Sequence, residues 1–274
     1  MGIDLWRRFA RDARHPQILA LASLLAINIL AIDFGATPLN GVFAVLSCLA
    51  TQAVASRWLK IPLDWRSTLI SSFSLTLLLR APSPLWFALA GIIAMSSKFL
   101  VRVEGKHIFN PAGLAIVVLL LSGAPVWISP GQWGAKLWFV ALAVGLALLV
   151  LPNARRADIA VFFLLSHAAL LLRRAIWLGD PLSIPLHQMQ SGSLLIFAFF
   201  MISDPRTSPN SRLGRLIFAV AVAVLAHNFA FYQQSRPALY FALIALSPAV
   251  LLIDRLIPAA PFAWRGPRNE GVPA

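Results

Sequence analysis

The sequence predicts an all-α membrane protein with about ten transmembrane helices, arranged as two inverted repeats of five helices that include broken or half-length helices. The first observation is composition: of 274 residues, 59% are hydrophobic and only 12% are charged, whereas soluble domains carry about 25% charged residues. The second is that apolar runs of about 18 residues, enough to cross a bilayer, recur along almost the whole chain. The third is the placement of the basic residues between these runs.

Ten apolar runs define the predicted spans. They cover residues 17–34, 38–55, 67–80, 84–101, 109–122, 133–151, 158–176, 189–203, 213–232 and 237–256. Runs 67–80 and 189–203 are short for a hydrocarbon core of about 30 Å at a rise of about 1.5 Å per residue. We therefore expect half-helices there, which are tolerated only where protein or a cavity covers the exposed backbone.

The charges between the runs predict the orientation. If the N-terminus is cytoplasmic, 18 of the 23 Lys and Arg residues fall in cytoplasmic segments and 5 fall outside, as the positive-inside rule requires. Both termini are then cytoplasmic.

The net charge of +13 is spread singly or in pairs between apolar runs, so it indicates a lipid bilayer and no nucleic-acid partner. The basic N-terminus leads into a full span without a small-residue cleavage site, which is not a signal peptide.

The predicted domain organisation is simple. A basic N-terminal segment covers 1–16, one transmembrane domain covers 17–256, and a cytoplasmic tail covers 257–274. Within the domain, repeat one covers about 17–122 and repeat two about 133–256.

The two halves show similar features in the same order. In each half a Ser-containing segment leads a short apolar run into a Pro-rich break, and a Pro-Ala pair later starts another span; these are 71–74, 80–84 and 111–112, matched by 191–193, 204–209 and 237–238. Inverted repeats place a ligand where the broken helices meet. The alternative is that Pro and Ser simply mark helix ends.

An inner site is predicted where the two breaks meet. Asn110 precedes Pro111 as an N-cap precedes a first helical proline, and its amide could also contact a ligand ring. Asp204 closes a short span, and an acidic group at that depth usually has a partner or a function. Arg206 could be that partner, or Asp204 could face a polar ligand together with the hydroxyls of Thr207 and Ser208.

An outer site is predicted in the loop 122–133. Ser129, Gln132 and Trp133 could approach a bound ring, because Trp offers a flat stacking surface. The alternative is that Trp127 and Trp133 belong to the aromatic belt of the membrane interface.

Other chemistry has little support. The single cysteine, Cys48, excludes an internal disulfide and a cysteine-ligated iron–sulfur cluster held by this chain alone. His167 and His227 lie in predicted spans and could ligate haem, but hydrogen bonding between helices explains isolated histidines more simply. We find no metal-ligand spacing, phosphate loop or nucleophile elbow, and assign no catalytic residue and no metal site.

Two motifs, taken in order and at their spacing, resemble the membrane subunits grouped as the NqrB/RnfD family, the B subunit of sodium-pumping NADH:quinone reductase and the D subunit of the Rnf complex. The residues that carry the resemblance are Ser97-Lys98, Gly105-Lys106-His107-Ile108-Phe109-Asn110-Pro111-Ala112 and Asp204-Pro205-Arg206-Thr207-Ser208-Pro209, with Gly214 following. The resemblance covers about residues 65–256. The chain length and the stretch 127–134 look closer to a stand-alone, UnbU-like branch.

The resemblance implies ten helices in two inverted halves, similar to the urea-transporter fold, in a bacterial inner membrane. It also implies riboflavin toward the cytoplasmic side and, on the outer side, FMN attached through its phosphate to a threonine. That threonine belongs to a Ser-Gly-Ala-Thr-type motif, whereas this loop reads Ser122-Gly123-Ala124-Pro125 and then Ser129-Pro130-Gly131-Gln132. We therefore expect noncovalent riboflavin or FMN.

The leading expectation is a membrane flavoprotein that passes electrons to a redox partner protein or to other subunits of a membrane complex. Any enzymatic role would be redox, not hydrolytic. One alternative is a transporter of a small polar solute or of a flavin through the same interface. Another is a non-catalytic subunit that serves as a scaffold in a larger assembly.

Overall fold

The computed structural model describes residues 12, 14–32, 37–103, 105–129 and 156–262. This part of the chain is mostly helical, as predicted. The elements, in chain order, are α1 Arg14–Ile27, the π-helix π1 Asn28–Ile32, α2 Pro38–Leu59, α3 Trp65–Leu78, β1 Leu79–Arg80, α4 Pro84–Leu100, β2 Arg102–Val103, β3 Lys106–His107, α5 Pro111–Leu121, β4 Trp127–Ile128, α6 Ala157–Leu178, α7 Ser183–Met189, α8 Gly192–Ile196, the π-helix π2 Phe197–Met201, α9 Arg212–Phe231, α10 Ala238–Leu246 and α11 Ala249–Leu256.

Three of the described helices, α2, α6 and α9, are long and apolar enough to cross a membrane, and the bent pair of α10 and α11 would make a fourth span. Shorter apolar helices accompany them: α1, α4, α5 and α8 with π2. The protein is thus an integral membrane protein with several apolar helices. The inverted ten-span arrangement stays a prediction, and its span 133–151 lies outside the described residues.

The short run 67–80 forms most of a helix of 14 residues. The helix α3 ends at Leu78, and the chain continues as the strand β1, which pairs antiparallel with β4. The amide of Ser129 donates to the Leu78 carbonyl at 2.8 Å, and Nη1 of Arg80 donates to the carbonyls of Thr76 and Leu79 at 2.9 and 2.7 Å. These bonds satisfy carbonyl groups that a helix leaves free at its C-terminus.

The second short run, 189–203, also forms a short helical element. It consists of α8 and π2, which together end at Met201, and a polar link runs from there to α9. All the residues of π2 are buried. Single π-helical turns are frequent at functional sites, so the end of π2 is a candidate location for a functional site.

One predicted span is broken in the structure. The run 237–256 forms α10 and α11, which are bent by 49° at Ser247 and Pro248. Proline lacks an amide hydrogen and clashes with the preceding turn, and the Ser247 hydroxyl donates to the Leu243 carbonyl at 2.7 Å. The two helices together are long and apolar enough to form the one span predicted over 237–256, and the bend between them was not predicted. The helix α7 was also not predicted.

Close helix packing holds the core together. The helix α2 packs along α4, and α6 packs along α9, around fully buried side chains such as Phe87, Phe163, Phe197 and Phe218. At Gly91 on α4, an added Cβ would overlap the Ser47 side chain and lie 3.3 Å from the Ala44 carbonyl oxygen of α2. Only glycine allows the two helices to approach this closely.

We predict that Gly91→Ala destabilises the fold by about 1–3 kcal/mol, the usual cost of overpacking a filled core. Thermal unfolding of the detergent-purified protein measures the effect. The matched control is Gly41→Ala, where the new Cβ would meet Thr76 Cγ2 at an ordinary 3.6 Å. Equal melting temperatures for the two variants would contradict the packing account.

Candidate functional site

A narrow polar cleft lies at the start of α3, where two polar links meet. The first link, 101–110, joins α4 to α5, and the second, 202–211, joins π2 to α9. The cleft is lined by residues of both links together with α1, α3, the end of α4, the start of α5 and π2. Its volume is about 60 Å³, which is room for a few water molecules. We call this space the polar cleft.

The two residues on which the sequence prediction rested meet in the polar cleft. Asn110 is the N-cap of α5, and its Oδ1 accepts from the amide of Gly113 at 3.0 Å. Its Nδ2 faces Asp204 Oδ2 at 3.4 Å, across 94 positions of sequence. The other carboxylate oxygen of Asp204 accepts from the backbone amide of Arg206 at 3.0 Å. Asn110 therefore caps a helix and also orients the acidic group of the second link.

Thr207 and Ser208 lie beside the polar cleft and do not line it. Both are buried, and their backbone amides donate to the Asp204 carbonyl at 3.2 and 3.0 Å. They therefore shape the turn that presents Asp204. The Ser208 hydroxyl is fully buried and has no hydrogen-bond partner among the described residues.

A stripe of serines and one lysine form the opposite wall. Ser67, Ser71 and Ser74 lie on one face of α3 and line the polar cleft, since positions i, i+4 and i+7 of a helix share a face. Lys98, near the end of α4, also lines it and is only 6% exposed. Its ammonium group donates to the Ser67 hydroxyl at 2.9 Å.

The start of α1 closes the polar cleft on a further side through Arg14 and Gln17. Arg14 donates from Nη2 to Asp12 Oδ2 at 2.6 Å and from Nη1 to Asp64 Oδ1 at 3.0 Å. Burial would raise the pKa of Asp12, but the hydrogen bonds and the charge of Arg14 outweigh this and lower it. We call Asp12, Arg14 and Asp64 the clasp, because they fasten α1 to the start of α3.

A second network joins the two links behind the polar cleft. Lys106 of the first link donates to Asp254 Oδ2 of α11 at 2.6 Å and to the Ser208 carbonyl at 2.8 Å. Asn210 of the second link donates to the same carboxylate through its backbone amide at 2.8 Å and its side chain at 3.0 Å. Asp254 thus fixes both links to one helix.

Arg206 and His107 add a further contact between the links. Arg206 Nη1 lies 3.3 Å from Nε2 of His107. Burial, and then the nearby Arg206 charge, lower the pKa of His107 to about 3. Its ring is therefore neutral at physiological pH. A guanidinium group only donates, so Nε2 is the acceptor and the ring hydrogen is on Nδ1.

The predicted outer residues lie elsewhere. Ser129 is buried at the far end of α3, beside the strand pair, and its hydroxyl has no hydrogen-bond partner among the described residues. Its amide donates to the carbonyl of Leu78, one helical turn beyond Ser74, and Ser129 is not among the residues that line the polar cleft. Gln132 and Trp133 lie outside the described residues. The structure therefore groups Asn110 with Asp204 and does not bring Ser129 to them.

Several residues of the polar cleft were missed by the sequence analysis. Lys98 appeared there as a cytoplasmic charge and as part of the family resemblance but not as a site residue, and Arg14 only as part of a basic terminus. The three serines are spaced as one face of a helix, but Thr68, Ser72 and Thr76 lie on other faces of α3, so the sequence did not single out this face. The pairing of Asp64 with Arg14 gave no signal, since 50 residues separate them.

The fold and the polar cleft define a helical integral membrane protein with a buried polar site between two links. The described helices and the residues that line this site fall partly within a region, 126–263, that matches the model of the NQR2, RnfD, RnfE family. The match covers half of the chain, and the chain belongs to this family.

Two of three bacterial relatives extend the similarity over most of the chain, and each of the three is the D subunit of an ion-translocating oxidoreductase complex. The relative from Ectopseudomonas mendocina is 26% identical over 95% of each chain. The relative from Alcanivorax borkumensis is 25% identical over 85% of this chain and 87% of its own length. The relative from Salmonella paratyphi B is 33% identical over 45% of this chain and 34% of its own length.

We predict that Asp254→Ala loosens the second link and destabilises the protein by about 1–3 kcal/mol, because hydrogen bonds to a charged group are lost. Hydrogen exchange should become faster at the amides of 202–211. Asp180→Ala is the control, since Asp180 pairs at 3.4 Å with a half-exposed Arg174. Unchanged exchange at Asn210 would contradict the role of Asp254.

We also predict that Arg14→Gln opens the polar cleft. In a Cys48→Ser background, a cysteine at Ser71 should react about 5- to 30-fold faster with a small thiol reagent, as expected if about 1–2 kcal/mol of closing energy is lost. The control is Arg57→Gln, which removes an exposed charge on α2. Equal labelling rates with and without Arg14 would show that the clasp does not close the site.

Proposed function

We propose that this protein is a flavin-binding electron-transfer subunit of the NqrB/RnfD type, which holds riboflavin or FMN noncovalently in the polar cleft. The observation that carries the proposal is the contact of Asn110 with Asp204. It joins the two motifs of the family resemblance at one polar site, within a protein whose surroundings are apolar. Members of the family typically bind FMN.

The residues of the polar cleft suit the polar edges of a flavin. The ring system has carbonyl acceptors and an imide N–H donor, and its side chain carries hydroxyl groups. Asn110 can donate and accept, Asp204 can accept, and the serine stripe can do both. Phe200 adds an apolar surface.

The volume of the polar cleft limits whether a flavin ring can enter. A volume of about 60 Å³ is too small for a three-ring system, so lining side chains must move for it to enter. We assign this movement to Arg14 and Gln17, which line the polar cleft from α1. The clasp is built from side-chain contacts at the start of α1, and such contacts can open without unfolding the core. When bound, the flavin supplies one- and two-electron chemistry, and the protein orients it and tunes its charge environment.

The same proposal includes the location, topology and partners of the protein. The protein lies in a bacterial inner membrane with ten spans in two inverted halves and both termini in the cytoplasm. Its partners are redox proteins or subunits of an ion-translocating oxidoreductase complex, since its relatives bear that name. Thr207 and Ser208 support the inner site from behind, and Ser129, Gln132 and Trp133 line an outer site. A stand-alone, UnbU-like protein is the variant of this proposal without fixed partners.

A second candidate function is favoured by the small volume of the polar cleft. A transporter of a small polar solute needs room for little more than the solute and a few waters, which this site has. Uptake of such a solute into proteoliposomes without redox partners would support it. A protein that binds flavin and gives no uptake would exclude it.

We predict that detergent-purified protein supplied with riboflavin or FMN shows flavin absorption that persists through gel filtration and is released intact on denaturation. Asn110→Ala and Asp204→Asn should each weaken binding about tenfold, the effect of one lost hydrogen bond to a polar ligand. Asn228→Ala is the control, because Asn228 is exposed on α9. Wild-type protein without bound flavin would contradict the proposed function.

A further inference from the structure

Lys98 lines the polar cleft but takes no part in the N-cap of α5 or in the turn at Asp204. It is 6% exposed near the end of α4, a helix that already ends with ordinary backbone hydrogen bonds. Removing an ammonium group from water is costly unless it is paired or fully hydrogen-bonded. A buried lysine at this depth therefore calls for a partner.

The described residues provide only part of that partner. An ammonium group has three N–H donors, and one of them donates to the Ser67 hydroxyl at 2.9 Å. Within the described chain, no carboxylate lies within 4.0 Å of Nζ. Lys98 thus enters the polar cleft with donor capacity that the neighbouring side chains leave unused.

The nearby acids are occupied by other groups. Asp64 and Asp204 both lie within electrostatic range of Lys98. Asp64 accepts from Arg14 and from the amide of Ser67, and Asp204 accepts from Asn110 and from the amide of Arg206. Arg206 is also close enough to repel Lys98. Asp64 and Asp204 therefore attract the positive charge of Lys98 from a distance, but neither forms an ion pair with it.

We propose that Lys98 is the specificity-determining residue of the polar cleft, and that it binds a ligand with a carbonyl acceptor that becomes negatively charged on reduction. This inference rests on the proposed function and assigns an orientation within it. The N1–C2=O edge of the flavin faces Lys98, where a gain of negative charge on reduction is stabilised by the ammonium group. The opposite, imide edge then faces Asn110 and Asp204.

The serine stripe supports this orientation. Ser67 holds the ammonium group in place, and Ser71 and Ser74 continue along the same face of α3. Their hydroxyls are placed to contact the hydroxylated side chain that leaves the flavin ring near the N1 edge. The charge and the hydroxyls therefore lie on the same wall, as one flavin orientation requires.

The test compares Lys98→Gln, which removes the charge, with Lys98→Arg, which keeps it. Lys60→Gln is the matched control, because Lys60 is exposed at the end of α2. Each full-length protein is purified in detergent and titrated with riboflavin and with FMN, followed by the quenching of flavin fluorescence. The midpoint potential of the bound flavin is then measured with dithionite as electron donor, water supplying the proton.

We expect Lys98→Gln to bind oxidised flavin about tenfold more weakly, the effect of a lost charge-assisted hydrogen bond, and to shift the midpoint potential to a more negative value. Lys98→Arg and Lys60→Gln should keep a potential close to that of the wild type. Ser67→Ala keeps the charge of Lys98 but removes the hydrogen bond that positions it. The midpoint potential should therefore shift in the same direction by a smaller amount. This variant also provides the test if Lys98→Gln does not fold.

The outcomes separate the two proposals. A wild-type protein that binds neither riboflavin nor FMN overturns the proposed function and this inference with it. A wild-type protein that binds flavin, with an unchanged affinity and potential in Lys98→Gln and Ser67→Ala, overturns the role of Lys98 alone. A shift in Lys60→Gln equal to that in Lys98→Gln would show a general effect of surface charge and would also overturn it.

Discussion

Two helical elements end inside the apolar body of this protein, and their free backbone groups must find partners there. In a membrane the surrounding lipid offers none, so broken helices occur only where protein or a cavity covers them. The end of α3 is covered by backbone pairing with β4 and by Arg80. The end of π2 is covered by the polar second link, whose turn is held by the Asp204 carbonyl. The fold depends on satisfying both ends.

The ends of α3 and π2 are covered in different ways, and only the end of π2 brings charged side chains together. At the end of α3, strand pairing and one guanidinium group satisfy the carbonyls of Thr76, Leu78 and Leu79. At the end of π2, the second link brings an acidic side chain against Asn110 of the first link, and Lys106 and Asp254 hold the two links in register. Charged groups then surround a small polar space. The site we propose for the flavin is therefore a consequence of how a broken helix is completed.

The sequence predicted the features that depend on local chemistry. Asn110 before Pro111 predicted the N-cap of α5, and the short runs predicted where α3 and π2 stop. The break at Pro248 was missed because the hydropathy of 237–256 is continuous and Pro is common in membrane helices. Lys98 and Arg14 were missed because their importance comes from partners 31 and 50 residues away. Thr207 and Ser208 lie beside the polar cleft, and their contact with a ligand stays a prediction, because a motif does not show which side of a turn each side chain occupies.

A density map of the protein determined with riboflavin bound would test the central claim most directly. We expect ring density in the polar cleft between Lys98 and Asp204, with the Arg14 side chain displaced from its position in the clasp. A map with flavin bound only at the Ser129 end of α3, or with the polar cleft closed and filled by water alone, would contradict it.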